Sequence, residues 1–185
     1  MPLRISGGEF KGRRIDSPTS GKGIRPTTEK VKLAIFSIIG MPFVQNSKVL
    51  DLYACTGALG IEALSRGAVR AVFVEKLRRN CALIEKNLST LNIADRGVVT
   101  KSTVKRFLDL SNERFDIVLL DPPFEHDEWE EVMGCLGSGV NVTQGGIVIG
   151  EHKSQVRLKN QYGNLEMEST RQYGGSQLSI FKAVT

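Results

Sequence analysis

Short apolar runs alternate with amphipathic stretches along most of this chain, and that alternation restricts the fold more than any other feature. "KVLDLY" (48–53), "AVFVE" (71–75), "VVT" (98–100), "FDIVLL" (115–120), "GIVIGEH" (146–152) and "QLSIFKAV" (177–184) have the length and content of strands. Helical stripes separate them: Ala58 to Arg66 closed by Gly67, then Leu77, Cys81, Ile84, Leu88 and Leu91, then Thr103 to Leu110, then Trp129, Val132, Met133 and Leu136. The register of Cys81 within its stripe predicts a core residue rather than a reactive thiol. An earlier helix, capped by Thr27 or Thr28, carries Val31, Ala34, Ile35 and Ile38 and stops at Gly40 and Pro42. Strands alternating with helices predict an α/β fold, a mostly parallel sheet covered on both faces. Ligands of such sheets bind beyond the carboxyl ends of the strands, where strand order reverses.

Ahead of this pattern, "RISGGEFKGRRID" (4–16) reads as a hairpin around Gly-Gly and "SPTSGKGIRP" (17–26) as a loop. Charge separates this segment from the rest. Residues 1–32 hold eight basic and three acidic side chains, whereas the other 153 residues hold 17 of each, so the net +5 of the chain lies in its first sixth. A phosphate-binding arm is built this way, and a solvated basic tail is the plainer alternative. The 185 residues suit one domain, with 1–26 as hairpin and loop and 27–185 as the core. No apolar leader follows Met1, and the longest apolar stretch, Leu33 to Val44, is broken by Ser37, Gly40 and Pro42, so no membrane span is expected. Cys55, Cys81 and Cys135 are odd in number and lack metal-like spacing, which predicts a reduced cytoplasmic protein.

Three strand ends carry the chemistry. In "DLYACTGALG" (51–60) the small residues Ala54, Cys55 and Gly57 let backbone approach a ligand, and the next helix offers free N–H groups. Cys55 excludes the G-x-G-x-x-G dinucleotide fingerprint, and a tight turn without a ligand has the same sequence. Glu75 ends the following strand, placed to accept hydrogen bonds from both ribose hydroxyls of an adenosine. The third end is Asp121-Pro122-Pro123-Phe124. Proline keeps Asp121 extended, and two prolines make a stiff turn with no competing donors. The Asp121 carboxylate and the Pro122 carbonyl then form two acceptors for one NH₂ group, and Phe124 offers a face to the ring that bears it.

At these residues the sequence resembles the S-adenosylmethionine-dependent amino-methyltransferases, whose motif is Asp/Asn/Ser-Pro-Pro-aromatic. It is more similar still to the bacterial RsmD-type methyltransferases, which modify guanine N2 in small-subunit (16S) ribosomal RNA. "ISGGEFKGRRI", "RPTTEKVKLAIFSII" (25–39), "VLDLYACTGALGIEALSRGA" (49–68), "FVEK" (73–76), "FDIVLLDPPF" (115–124) and "RQYGGSQLSIF" (171–181) carry the resemblance across nearly the whole chain. It implies a Rossmann-like class I fold with a seven-stranded sheet and an N-terminal hairpin, and S-adenosylmethionine as cofactor. Asp51, Ala54, Cys55, Thr56, Gly57, Glu75, Lys76, Ser102 and Thr103 would hold that cofactor. Asp121, Pro122, Pro123 and Phe124 would be catalytic. Arg4, Lys11, Arg13 and Arg14 would meet ribosomal RNA, within a small-subunit particle; Arg25 would meet either that RNA or the cofactor carboxylate, and Tyr173 would meet RNA or pack at its loop. Two departures stand out: the family's Ala-Gly-Ser-Gly loop reads Ala54-Cys55-Thr56-Gly57 here, and the usual acidic contact to adenine is replaced by Ser102 or Thr103.

Other signals point elsewhere or nowhere. Glu125, Asp127, Glu128, Glu130 and Glu131 beside His126 suit a helix start, so no metal is expected. His152 reads as a hydrogen-bonded structural histidine. A DNA adenine-N6 or cytosine-N4 methyltransferase would use the same Asp-Pro-Pro-Phe device, but the chain leaves no room for a target-recognition domain. A catalytically silent RNA-binding assembly factor would have no need of it.

Overall fold

The computed structural model describes residues 3–17, 28–123, 125 and 127–184. β1 (Leu3–Arg4) and β2 (Arg14–Ile15) pair antiparallel at the base of the N-terminal hairpin. Then follow α1 (Glu29–Ile39), α2 (Met41–Val44), β3 (Lys48–Leu52), α3 (Ala58–Ser65), β4 (Arg70–Glu75), α4 (Arg78–Thr90) and β5 (Gly97–Lys101). The second half comprises α5 (Val104–Leu110), β6 (Phe115–Leu120), α6 (Trp129–Gly137), β7 (Val142–Lys153), β8 (Gln161–Tyr162), β9 (Leu165–Tyr173) and β10 (Ser176–Ala183).

The main sheet has the order β5-β4-β3-β6-β7-β10-β9-β8. β5 through β7 are parallel, and β10, β9 and β8 close the sheet antiparallel. It is a Rossmann-like α/β fold with eight strands, not the expected seven. The addition is β8, two residues paired with the start of β9. β9 itself carries Glu166, Glu168, Thr170 and Gln172 on an exposed face near the sheet margin, so no apolar run marks it.

Alternate residues of the central strands enter opposite cores. Val49, Phe73, Ile117 and Leu119 face Ile35, Leu59 and Ile84 of α1, α3 and α4. Leu50, Leu52, Val74, Val118 and Leu120 face Leu108, Val132 and Leu136 of α5 and α6. Burial on both faces explains why these strands read as continuous apolar runs. The α1 cap is Thr28, whose hydroxyl accepts the Val31 N–H, while Thr27 lies outside the described residues. The buried face of α1 is Val31, Lys32, Ile35, Phe36 and Ile39, rotated from the expected stripe because Lys32 has a buried anionic partner in Glu62. Leu77, expected in the core, is the exposed cap residue of α4.

β3 lies between β4 and β6, so chain order reverses there, and ligands of such sheets bind in the crevice outside the carboxyl ends of the strands at that point. Asp51, Glu75 and Asp121 all belong to that edge. Among the described residues, no helix is long and apolar enough to cross a membrane.

Candidate functional site

The loop leaving β3 is built from strained turns tied to its neighbours. Tyr53 (φ 61°) and Cys55 (φ 51°) are left-handed without being glycine, and Gly57 (φ 75°) follows. Such conformations cost free energy and persist where surrounding contacts fix them. Here Ala54 N–H donates to the Val74 carbonyl at 3.1 Å, and Gly57 N–H to the Ala54 carbonyl at 2.7 Å. The Cys55 N–H donates to Glu75 Oε2 at 2.9 Å. Gly57 is needed twice over: for its positive φ, and because a Cβ would meet Ile84 at 3.1 Å and Phe73 at 3.3 Å.

Gly57 is the cap residue of α3 and has no side chain to satisfy the helix N–H groups. Asp51 does so from the strand below, its Oδ2 accepting the Gly60 N–H at 2.9 Å. Glu75 is equally fixed, since its Oε1 accepts the Leu77 N–H at 2.8 Å while Oε2 holds Cys55. A carboxylate oxygen has two acceptor directions, so Glu75 keeps one on each oxygen for ligand hydroxyls. Thr56 is buried in the same loop.

Asp121 emerges half-buried from β6, followed by buried Pro122 and exposed Pro123. Its field reaches the loop. Burial pushes the Asp51 carboxyl well above its ordinary value, opposed by the Gly60 N–H and reinforced by Asp121 and Glu75. Burial also pushes the Cys55 thiol up to about 11, with Glu75, Asp121 and Asp51 adding to it and Arg79 opposing. Three carboxylates therefore gather around one glycine-containing loop. The crevice suits a ligand that brings positive charge and hydroxyl donors.

The remaining expected cofactor residues lie along the same edge. Lys76 is exposed immediately after Glu75, and half-buried Ser102 donates its N–H to the Glu75 carbonyl at 3.1 Å. The Thr103 hydroxyl is engaged as the α5 cap, accepting the Arg106 N–H at 3.3 Å. Phe124, Arg25 and His126 lie outside the described residues. Tyr173 is half-buried at the end of β9, opposite Ser176.

Arg4, Lys11, Arg13 and Arg14 are exposed on the hairpin, but the structure does not bring them to Asp121. Glu9 N–H donates to the Ser65 carbonyl at 2.7 Å, and Arg13 Nη2 to the Thr90 carbonyl at 2.9 Å. Ser65 and Thr90 end α3 and α4, which run back toward the amino edge of the sheet. Arg4 spends one guanidinium donor on the Gly12 carbonyl at 2.9 Å, within the hairpin.

His152 is a structural residue. Its Nδ1 donates to the Lys153 carbonyl at 2.8 Å, which leaves Nε2 to accept from the Ser179 hydroxyl at 2.8 Å, and its ring meets Trp129 edge-on. Glu125, Asp127, Glu128, Glu130 and Glu131 are exposed, and among the described residues no group of three or more potential ligands is arranged around a metal position.

Three residues escaped sequence reasoning. Asn87 is buried and ties the loop to the N-terminal segment, while Glu62 and Lys32 form a buried pair. The available signal was a polar side chain inside an apolar helical stretch, as in "GIEALS" and "KNLST".

A family model described as "Conserved hypothetical protein 95" matches residues 3–182. The chain is 32% identical over 183 residues to "Putative rRNA methyltransferase YlbH" of Bacillus subtilis, covering 97% of this chain and 98% of that protein. It is 37% identical over 134 residues to the Ribosomal RNA small subunit methyltransferase D of Escherichia coli, covering 72% and 66% respectively. Among solved structures, "Putative methyltransferase yhhF" from Escherichia coli superposes with a TM-score of 0.86 at 28% identity, over 100% of this chain and 99% of that one.

Proposed function

This chain belongs to the RsmD-type family of methyltransferases, and from that premise we propose that it methylates the exocyclic N2 amine of a guanine in small-subunit ribosomal RNA, with S-adenosylmethionine as methyl donor. The observation that carries the proposal is the convergence of Asp121 with Asp51 and Glu75 around the loop at residues 54–57. S-adenosylmethionine, when bound there, supplies an electrophilic methyl group on a sulfonium. Glu75 holds the ribose hydroxyls with its two unused acceptor directions. The small loop residues admit the donor closely, and the Glu75 and Asp121 carboxylates favour its positive charge.

The guanine amine is a poor nucleophile because its lone pair is delocalised into the ring. Asp121 accepts a hydrogen bond from one N–H, and the Pro122 carbonyl accepts from the other. Two fixed acceptors localise the lone pair on the remaining side, toward the donor. Held in this way, the amine gains the advantage of an oriented reaction, worth up to ~7–11 kcal/mol in well-positioned systems. Asp121 also stabilises the positive charge that develops on nitrogen and takes the proton, directly or through water. A base paired inside a helix does not reach such an edge, so the target lies in a loop or is turned out of its stack. The basic N-terminal segment holds surrounding phosphates, and a ribosomal substrate places the reaction in the cytoplasm.

The decisive assay is transfer of labelled methyl to small-subunit particles that lack the modification, followed by nucleoside analysis. N2-methylguanosine is the expected product; a methylated adenine or cytosine would replace the substrate assignment. Asp121→Ala is expected to lower turnover by at least ~100-fold, the scale of a lost transition-state contact. Its binding of S-adenosylhomocysteine should stay within a few-fold of the parent. Near-normal turnover in this variant would remove Asp121 from the mechanism.

A further inference from the structure

Asn87 is a buried polar side chain on α4 whose three hydrogen bonds all go to two other segments. Its Oδ1 accepts the Asp16 N–H at 2.8 Å, and its Nδ2 donates to the Asp16 carbonyl at 3.1 Å. The same Nδ2 donates to the Thr56 carbonyl at 3.2 Å. One carboxamide thus grips both backbone groups of the residue that follows β2, and the peptide at the centre of the loop between β3 and α3. The Lys86–Asp16 ion pair at 2.6 Å adds a second link between this end of the N-terminal segment and α4.

The other ties on the loop come from the sheet or from the loop itself: Ala54 to Val74, Cys55 to Glu75, and Gly57 to Ala54. Of these only the Gly57 N–H shares the planar peptide of the Thr56 carbonyl, so Asn87 is the one tie on that peptide from outside the loop and the sheet. That peptide lies between left-handed Cys55 and left-handed Gly57, where an untied chain has lower-energy alternatives. A buried amide that loses a partner keeps its desolvation penalty, so the Asn87 contacts hold together or fail together.

We propose that Asn87 is a positioning residue that makes the end of the N-terminal arm and the cofactor loop one unit, so that docking of the arm sets the affinity of the loop for its nucleoside ligand. The proposal rests on the reading of this crevice as an S-adenosylmethionine site. On the further reading that the arm holds RNA, RNA and cofactor bind cooperatively, because each favours the same docked arrangement.

Isothermal titration of the full chain with S-adenosylhomocysteine tests this. Asn87→Ala should bind at least tenfold more weakly than the parent. Asn87→Asp at pH 8 should bind no better than the alanine variant, because a carboxylate keeps the acceptor for Asp16 but opposes the Thr56 and Asp16 carbonyls. Leu136→Ala, a core truncation in α6 on the opposite face of the sheet, controls for general destabilisation and should bind as the parent does. In turnover, Asn87→Ala should raise KM for S-adenosylmethionine more than it lowers kcat. Parent-like binding by either Asn87 variant, or equal weakening by Leu136→Ala, overturns the proposal. A parent protein that binds no S-adenosylhomocysteine at all would instead overturn the cofactor assignment on which it rests. Cooperativity is read by repeating the parent titration with substrate RNA present: tighter binding that is lost in Asn87→Ala supports the coupling, and identical affinity with and without RNA refutes it.

Discussion

Cys55 occupies a backbone position that favours glycine, and its neighbours decide what the thiol can do. At φ 51° its side chain carries the left-handed penalty, about 1–2 kcal/mol, whereas glycine adopts this conformation freely but loses about 0.5–1 kcal/mol of chain entropy. Cys55→Gly is therefore expected to raise stability by about 0.5–1 kcal/mol, read as a small increase in the denaturant midpoint; a loss of stability would show that the thiol packs favourably enough to outweigh its backbone. The thiol itself is held neutral. With burial and then Glu75, Asp121 and Asp51 pushing it up to about 11, its thiolate fraction at pH 8 is on the order of one in a thousand. Alkylation of Cys55 in the folded protein should accelerate only as pH approaches that value, while the denatured chain reacts near the ordinary thiol range. Rapid modification at neutral pH would mean the three carboxylates do not surround it. The cysteine could be read from the sequence as a departure at a glycine position. Its left-handed φ and its anionic surroundings could not, because they depend on Glu75 and Asp121 arriving from two other strands.

The N-terminal hairpin is fastened by a cluster at one buried carboxylate. Glu62 accepts the Ser6 N–H at 2.9 Å and the Ser6 hydroxyl at 2.7 Å, and it pairs with Lys32 at 3.1 Å and Arg66 at 2.9 Å. Arg66 also stacks over Phe36, and Gly8 sits where any Cβ would collide with the Ser65 carbonyl. Burial alone would raise the Glu62 carboxyl, but the Ser6 N–H, the Lys32 ammonium, the Ser6 hydroxyl and Arg66 outweigh it and hold it below its ordinary value. Because the folded value is the lower one, this stabilisation is fully present above the unfolded carboxylate range, ~4, and is lost as pH falls through the folded value. Amide exchange in residues 5–16 should consequently rise on acidification before exchange in β3 and β6 does. Glu62→Ala strands a buried ammonium and should cost about 3–5 kcal/mol; an unchanged melting temperature with unchanged hairpin exchange would refute this account. Elements with a strong apolar period are legible in the sequence: β3, β4, β6, α4 and α6 lie where their stripes predict, apart from Leu77, which caps α4 instead of entering its core. Long-range polar pairing hid the rest. Lys32 turned the buried face of α1 because Glu62 awaits it there, and β9 stayed invisible because its partners, not its composition, make it a strand.

At the scale of the whole molecule, charge and chemistry occupy opposite edges of the sheet. Asp51, Glu75 and Asp121 stand at the carboxyl edge, whereas the hairpin turn is docked on Ser65 and on Thr90 through Arg13, near the amino edge. The 13 residues of α4 span about 20 Å, which sets the order of separation between Arg13 and the N-terminus of that helix. An RNA that meets both the Asp121 strand end and the basic hairpin must extend beyond the target loop, and a short oligonucleotide carrying only that loop does not. The sequence disclosed the segregation of charge but not its position, because placing residues 3–17 required knowing which helix ends they cover. Two consequences separate by substrate length. With a long ribosomal fragment, replacing Arg4, Lys11, Arg13 and Arg14 with glutamine should raise KM and reduce the slope of log affinity against log salt by about 3, if each side chain neutralises one phosphate at ~0.7–0.9 per contact. With the short oligonucleotide, KM should already be high and salt dependence shallow, and the same four substitutions should change neither, because the phosphates they would hold are absent. Turnover at saturation should remain similar in all four combinations, since the hairpin touches no reacting atom. Equal effects of the substitutions on both RNAs would mean that the hairpin acts on the crevice itself; no effect on either would leave it a solvated basic extension.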